Sequence, residues 1–495
     1  MNIRTALLWS LPAAVASISG CKVGPNYAGP PDAAPTARSA TVYRRASVAP
    51  VTNAPPLSLW WLALNDETLN RLEHDALTNS PTLEQAVGKI RSARATLRQR
   101  RTDLLPSGGV AAIYARIDTP SALGGALTGG GATGNAGAAT SASDDIDFYN
   151  VGLAASWQID LFGGVRRQVA SARATMQAYD ADLQDAQVTL TMNVAMAYVN
   201  LRDAQARLAL AHQTAVLQER MLALTRLQRA GGTASDSSIE RVNTQLKQTQ
   251  ADLVPLEGQI EIYTDQLSQL AGHEPGAFDA LLVAFEPLPK LPAETAVGNP
   301  SDLLRRRPDI RAAERRLAAA NETIGADIAQ YFPSVTLYGT LGYGSTQFSG
   351  LIEGANLIKV AAPVLSWNVF TFPSISAQVE GARGSFDQAR ATYRSTVVSA
   401  LLDAENALSR FGHQRDSVVR LAEARDSATR AAVIADIRFK GGTLSLIDAL
   451  DIERQRVQTQ SSLAQGQAAL TADWISLQSS LGLGWSPVSR GTRQP

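Results

Sequence analysis

The 495-residue chain has one cysteine and four histidines. A single thiol cannot close an intramolecular disulfide, and His74, His212, His273 and His413 are scattered without ligand spacing, so no zinc-type site is legible. An excess of one charge is missing too: 45 Lys plus Arg stand against 45 Asp plus Glu, so nothing global points to nucleic acid or to an anionic surface. Beyond the first twenty residues there is no long uninterrupted apolar run. That excludes a helical membrane span but not a β-barrel, whose strands are short and half polar. Catalytic signatures are lacking as well. No nucleophile elbow or phosphate loop occurs. One fit to GxGxxG, Gly129 to Gly134, sits in a polar loop with no helix after it, so a dinucleotide reading fails. The chain is read as a non-enzyme, with no catalytic residue and no metal.

What is present starts at the N-terminus. Residues 1–20 carry Arg4, an apolar core from Ala6 to Ile18 and then small residues. This reads as a secretory signal too short to span a bilayer, with the mature chain starting near residue 21. In "ISGCK" the small pair before Cys21, with an aliphatic side chain ahead of it, resembles the bacterial lipoprotein signal. That resemblance implies a covalent lipid on Cys21, an S-diacylglycerol with an N-palmitoyl group on the new terminus, and no other cofactor. Lys22 in place of aspartate implies sorting to the outer membrane. The alternative is an ordinary signal peptide and an incidental cysteine.

The rest of the chain is duplicated. Trp157 and "WQIDLFGGVRRQVASARA" recur 210 positions on as Trp367 and "WNVFTFPSISAQVEGARG", and the same offset relates Gly231-Gly232 to Gly441-Gly442 and Gly272 to Gly482. Upstream the offset is 227, pairing Pro81 with Pro308 and Pro106 with Pro333, so the extra residues fall in the Gly, Ala and Ser-rich stretch between Pro106 and Trp157. From Val165 to Ala230 there is neither glycine nor proline, and its counterpart from Ser374 to Lys440 has no proline. Apolar positions at three and four spacing make these helices of roughly 100 Å, the length of coiled coils rather than of globular helices. The glycine pairs then turn the chain back. Return legs are expected from Gly232 to Ala271, kinked at Pro255, and from Thr443 to Leu481, completed by single helices over 301–331 and 65–105. The division expected is a signal at 1–20, an extended lipidated segment at 21–60, a first repeat at 61–271, an equatorial connection at 272–300, a second repeat at 301–485 and a tail at 486–495.

Two stretches alternate with period two, Tyr149 to Ile159 and onward from Val335, and four candidate strands are counted, about 108–117, 146–160, 334–345 and 357–368. The second and fourth end in tryptophan with phenylalanine nearby, as an aromatic belt would. Four strands cannot close a membrane barrel and an open edge is not tolerated in lipid, so several copies must share one. Two copies give eight strands with a filled interior, while three give twelve and a lumen. The fold class expected is mainly α with membrane β: a long coiled-coil helical barrel plus four strands per chain of a shared twelve-stranded trimeric barrel.

The blocks "CKVGPNYAGP", "WWLALNDETLNRLEHDAL", "DLFGGVRRQVASARA" and "DLLRRRPDIRAAERRLAAANETIGADIAQYFPS" are similar to successive signatures of the outer membrane factor (TolC/OprM-like) family, in its lipoprotein branch. The resemblance covers nearly all of the chain after the signal. It implies a homotrimeric outer membrane channel with its helical barrel in the periplasm of a Gram-negative bacterium. It also implies a periplasmic adaptor (membrane fusion protein), an inner-membrane pump of the resistance-nodulation-division type, and passive export of small molecules. A type I-like secretion duct and a non-pore, lipid-anchored coiled-coil protein remain the alternatives. Pro373 stands where glycine is usual in the family, and the Gly-rich loop is longer than usual.

Candidate site residues follow from the tips. Asp448 and Asp451 lie three apart on one helix face, and the resemblance implies that they ring the periplasmic aperture. Six carboxylates from three chains would attract cations and raise some pKa values. The first repeat has Ser238 and Arg241 at those offsets, so one hairpin carries the ring. The bland reading is a solvated helix face. Gly232, Thr233, Gly442, Thr443 and Leu444 form the surface for an adaptor hairpin, although glycine there also simply turns the chain. Arg305, Arg306, Arg307 and Asp309 are expected to make structural ion pairs rather than to contact substrate.

Overall fold

The computed structural model describes residues 22–118 and 145–485. The signal, Cys21, the Gly-rich loop with Gly129 to Gly134, and the tail lie outside the described residues. The described chain forms two compact units, one of residues up to 30, 92–176 and 316–389, the other of 31–91, 177–315 and 390 onward.

The first unit is built on an antiparallel sheet of β2 (Ser107–Asp118), β3 (Asp145–Ile159), β5 (Ser334–Ser345) and β6 (Leu357–Ser366), in the order β2-β3-β5-β6. The register sets Val110 opposite Leu153 and Leu153 opposite Leu341, so the apolar halves of the alternation share one face. Those three side chains are 79%, 49% and 52% exposed. A face this apolar and this open is what a strand presents to lipid. Gly152 pairs with Gly342 across two strands, and a Cβ on Gly152 would lie 2.7 Å from the Gly342 Cα. The fourth strand stops at Ser366, short of the expected 368, because Trp367 turns away to donate its indole N–H to the Tyr331 carbonyl at 3.0 Å. Trp157 does the same to the Leu104 carbonyl, also at 3.0 Å. Below the strands Phe162 stacks on Phe332 with ring centres 4.6 Å apart.

The long helices have the bounds that the missing breakers dictate: α4 is Gly164–Ala230 and α9 is Phe372–Lys440. Pro373 falls in the first turn of α9, where no N–H is needed. Their return partners are α5 (Asp236–Leu270), which runs on through Pro255, and α10 (Leu446–Ser480). The shorter legs depart from expectation. Instead of single helices, α2 (Glu67–Asn79) and α3 (Pro81–Thr102) are separated at Ser80, and α7 (Pro300–Arg306) and α8 (Pro308–Ala329) at Arg307. Both break residues have φ −60° and ψ 124°. Each precedes a proline, whose ring excludes the helical conformation from its neighbour, so the 227-residue repeat carries the same break twice.

Small residues let the helices of the second unit approach closely. Ala195, Ala204, Ala400, Ala404 and Ala407 are fully buried. The same unit holds an aromatic cluster of Trp60, Trp61 and Trp474, tied through Trp474 to a two-residue parallel pairing of β1 (Val51–Thr52) with β4 (Thr295–Ala296). That pairing, which ties residues 51–52 to the 272–300 connection, had no sequence signal. Arg307 forms the expected ion pair with Asp309 at 2.7 Å and also donates to the Ser480 carbonyl at 2.8 Å, while Arg306 reaches the Leu481 carbonyl at 3.1 Å. The arginines thus cap the end of α10.

Glu73 on α2 is fully buried with no hydrogen-bond partner on either carboxylate oxygen, and burial pushes its pKa well above the usual carboxylate range. The folded chain therefore binds this proton more tightly than the unfolded chain. Stability from this group is full below the unfolded pKa of about 4.3 and falls as pH rises toward the raised folded value. Glu73→Met is expected to stabilise the second unit by about 1–3 kcal/mol at neutral pH and to flatten that slope. Urea midpoints of the helical signal at pH 5 and pH 8 check it; equal midpoints in the parent chain would show that the carboxylate has a partner.

Candidate gate and docking tips

Each hairpin tip is built from the last turn of a long helix. After α4 the N–H groups of Gly231 and Thr233 return to the carbonyls of Leu227 (3.0 Å) and Gln228 (2.8 Å). After α9, Gly441 and Thr443 return to Ile437 (3.0 Å) and Arg438 (2.8 Å). Gly232 and Gly442 have φ of +77° and +71°, and the Thr233 and Thr443 hydroxyls donate to the Gln228 and Arg438 carbonyls. This is the same left-handed cap twice. A Cβ on either glycine would meet nothing within 4 Å, so dihedral freedom and not crowding requires glycine. Gly232, Thr233, Gly442 and Thr443 are exposed and Leu444 is half-buried.

The return helices start on matched caps, Ser235 and Ser445, whose hydroxyls accept the N–H groups of Ser238 and Asp448. From there the two tips diverge. At the first, Arg229 forks onto Asp236 at 2.7 and 3.0 Å and holds that carboxyl below its usual range. At the second, the Ser445 hydroxyl donates to the Asp448 carboxylate at 2.7 Å while accepting the Asp448 N–H, and Asp451 pairs with Arg454 at 3.3 Å. Both aspartates are exposed on the first turns of α10, each with its own partner. The Ser-x-x-Asp cap and the arginine at i+3 were legible in "SLIDALDIER" and were missed by a reading that counted carboxylates alone.

Behind the tips lies a contact between the two hairpins. Leu222, Val242 and Leu246 form a buried cluster on α4 and α5, and Leu446 and Leu450 of α10 pack against it with Met221 and Ile239. Beside it a groove of about 530 Å³ opens among α4, α9 and α10, floored by Met221, Leu224, Val433 and Phe439 and edged by Arg220, Lys440 and the Glu453–Arg456 pair. Swinging the second tip away from the first would expose Leu446 and Leu450. Full burial of a leucine contributes roughly 1.5–3 kcal/mol, so opening that contact costs roughly a few kcal/mol. No helix among the described residues is long and apolar enough to cross a membrane.

The sequence profile of the family described as outer membrane efflux protein matches residues 72–273 and 299–483. Outer membrane protein OprJ of Pseudomonas aeruginosa is 30% identical over 96% of this chain and 97% of its own. The toluene efflux pump outer membrane protein TtgF of Pseudomonas putida is 27% identical over 96% of each. Among solved structures, the outer-membrane channel OprN superposes with a TM-score of 0.84 at 32% identity, covering 94% of this chain and all of that one.

Proposed function

This chain belongs to the outer membrane efflux protein family and is an efflux exit channel of the outer membrane; from that premise we propose how it is assembled and what it joins. Three copies pool their sheets into one twelve-stranded barrel, because edges β2 and β6 each pair on one side only among the described residues and lipid does not tolerate such edges. The long helices extend into the periplasm. There the tips meet a periplasmic adaptor, and through it an inner-membrane pump of the resistance-nodulation-division type. Names such as toluene efflux pump outer membrane protein, carried by TtgF, support that reading. The duct itself is passive. No bond is made or broken, and the pump supplies both energy and selectivity. Cys21 carries the lipid.

The observation that carries the proposal is the four-stranded sheet, exposed along the apolar stripe of Val110, Leu153 and Leu341 and, among the described residues, unpaired at both edges, on a chain whose longest helices end in two matched tips. An adaptor opens the channel by binding better to a state in which Leu446 and Leu450 have left the first hairpin, a shift within reach of a few kcal/mol of differential contact. Deletion of the gene is expected to lower inhibitory concentrations several-fold across a panel of small toxic compounds, with restoration by a plasmid copy. Crosslinking from Thr443→Cys is expected to capture the adaptor. An unchanged panel together with loss of a secreted polypeptide would move the assignment to a secretion duct.

A further inference from the structure

The first unit holds a fully buried arginine that the channel function does not use. Arg167, near the start of α4, spends all five N–H donors. Nε donates to the Val23 carbonyl at 3.0 Å, Nη1 to the Pro25 carbonyl at 2.8 Å and to Glu322 at 3.0 Å, and Nη2 to the Gly24 carbonyl at 2.9 Å and the Asn26 side chain at 3.1 Å. Four consecutive residues of the N-terminal segment are thus wound around one guanidinium. Glu322 on α8 also receives Lys22 Nζ at 2.8 Å, and Asn321 donates to the Pro25 carbonyl at 3.1 Å. Gly24, at φ +83°, lies so close to the helix that a Cβ would sit 2.7 Å from the Gly325 Cα. The second repeat has Ala377 at the position of Arg167, so one repeat alone carries the device.

Where the segment is held matters more than that it is held. The Val23 N–H donates to the Phe162 carbonyl at 3.2 Å, and the Lys22 backbone packs on Gly163, in the turn between β3 and α4. Phe162 stacks on Phe332, two residues before the start of β5. Lys22 is therefore fixed at the tryptophan-bearing end of the sheet, where the strands give way to helices, and it is the covalent neighbour of Cys21. Without the arginine only single contacts remain on residues 22–26, the Lys22–Glu322 pair, the Val23 N–H on Phe162 and the Asn321 amide on Pro25, and if these open the next hold is Tyr27, packed against Ala174, Ala318 and Ala319. A flexible tether of six residues would let the terminus wander by roughly 13 Å.

We infer that Arg167 and Glu322 form a buckle that positions the acyl chains of Cys21 at the rim of the barrel, so that lipid and strands enter the same leaflet at a fixed spacing. The inference rests on the lipid reading of Cys21. A pinned lipid acts as a second anchor of high effective concentration for strands not yet inserted, whereas a loose one merely tethers.

The test uses the full-length chain, with its own signal wherever Cys21 is kept. Mass spectrometry of the purified protein reports whether Cys21 carries lipid, which tests the lipid assignment alone. Trypsin then reports the buckle. In the parent the Lys22–Val23 bond should resist cleavage. In Arg167→Gln it should be cut about tenfold faster or more, since cleavage tracks the open population and hydrogen bonds to a charged group hold it shut, while cleavage at the tip residues Arg229 and Arg438 stays unchanged. Should Arg167→Gln fail to fold, Gly24→Ala lifts the strap by crowding Gly325 and keeps the guanidinium. Positioning is read from insertion yield with and without Cys21→Ser behind a cleavable signal. Inserted protein is expected in all four backgrounds, and the lipid's gain in yield should be several-fold with the buckle and small without it. Equal gains in both backgrounds, or a Lys22–Val23 bond as labile in the parent as in the variants, would overturn the inference.

Discussion

Trp474→Ala is expected to destabilise the helical unit by about 3–5 kcal/mol, the largest loss at any single position considered. The indole is 2% exposed, meets Trp60 edge-on at 5.6 Å between centroids and donates its N–H to the Thr295 hydroxyl at 2.9 Å. Thr295 is itself buried, in the strand that pairs with Val51. One side chain therefore binds α10 to the 272–300 connection and to the N-terminal segment. Alanine would leave a cavity, an unpartnered hydroxyl and a Trp60 ring without its neighbour. Trp474→Phe keeps most of the volume and loses only the donor, so about 1 kcal/mol is expected. Urea unfolding followed by helical circular dichroism measures both, with Leu227→Ala, 70% exposed, as the surface control. A Trp474→Ala midpoint no lower than that control would mean that the cluster is not a stabilising core.

Features that were legible in the sequence share a local cause. The tips at Gly232 and Gly442 could be placed to the residue because a left-handed cap needs glycine wherever it occurs, and the 210-residue repeat states that need twice. The strands β3 and β5 could be read because one face stays apolar and the other mostly polar over ten residues or more, whereas β6 sets Lys359 beside Leu341 and carries Ile358, Val360 and Val364 on its second face. The breaks at Ser80 and Arg307 were equally local, yet an unbroken apolar period hid them, although Pro81 and Pro308 forbid a helical neighbour. The buckle and the tryptophan cluster were of another kind. Arg167 is one of two adjacent arginines in "GVRRQ", and its partners lie 141 to 155 positions away. No periodicity distinguishes it from Arg166, which forks onto Asp160 a few residues back. The β1 and β4 strands are two residues each and carry no period at all.

At the tips, the same distinction sharpens the acidic-ring proposal. Asp448 has a local structural task, since its N–H and carboxylate close the cap of α10, and Asp451 is balanced in part by Arg454. That pair is exposed, 67% and 62%, and so is worth little in stability. It would still halve the field of each chain at a shared aperture. Alanine at 448 would remove a cap as well as a charge, worth about 1 kcal/mol, so asparagine is the cleaner change. Asp448→Asn with Asp451→Asn is expected to reduce the cation-over-anion permeability ratio several-fold in planar bilayers, seen as a reversal potential moving toward zero under a salt gradient. Arg454→Gln frees Asp451 and should move it the other way. Both shifts should shrink toward molar salt, where screening acts within about 3 Å. Opposite signs from neighbouring residues are difficult to obtain from a general disturbance of the tip. A reversal potential that ignores all three substitutions would leave Asp448 as a helix cap and Asp451 as a solvated surface charge.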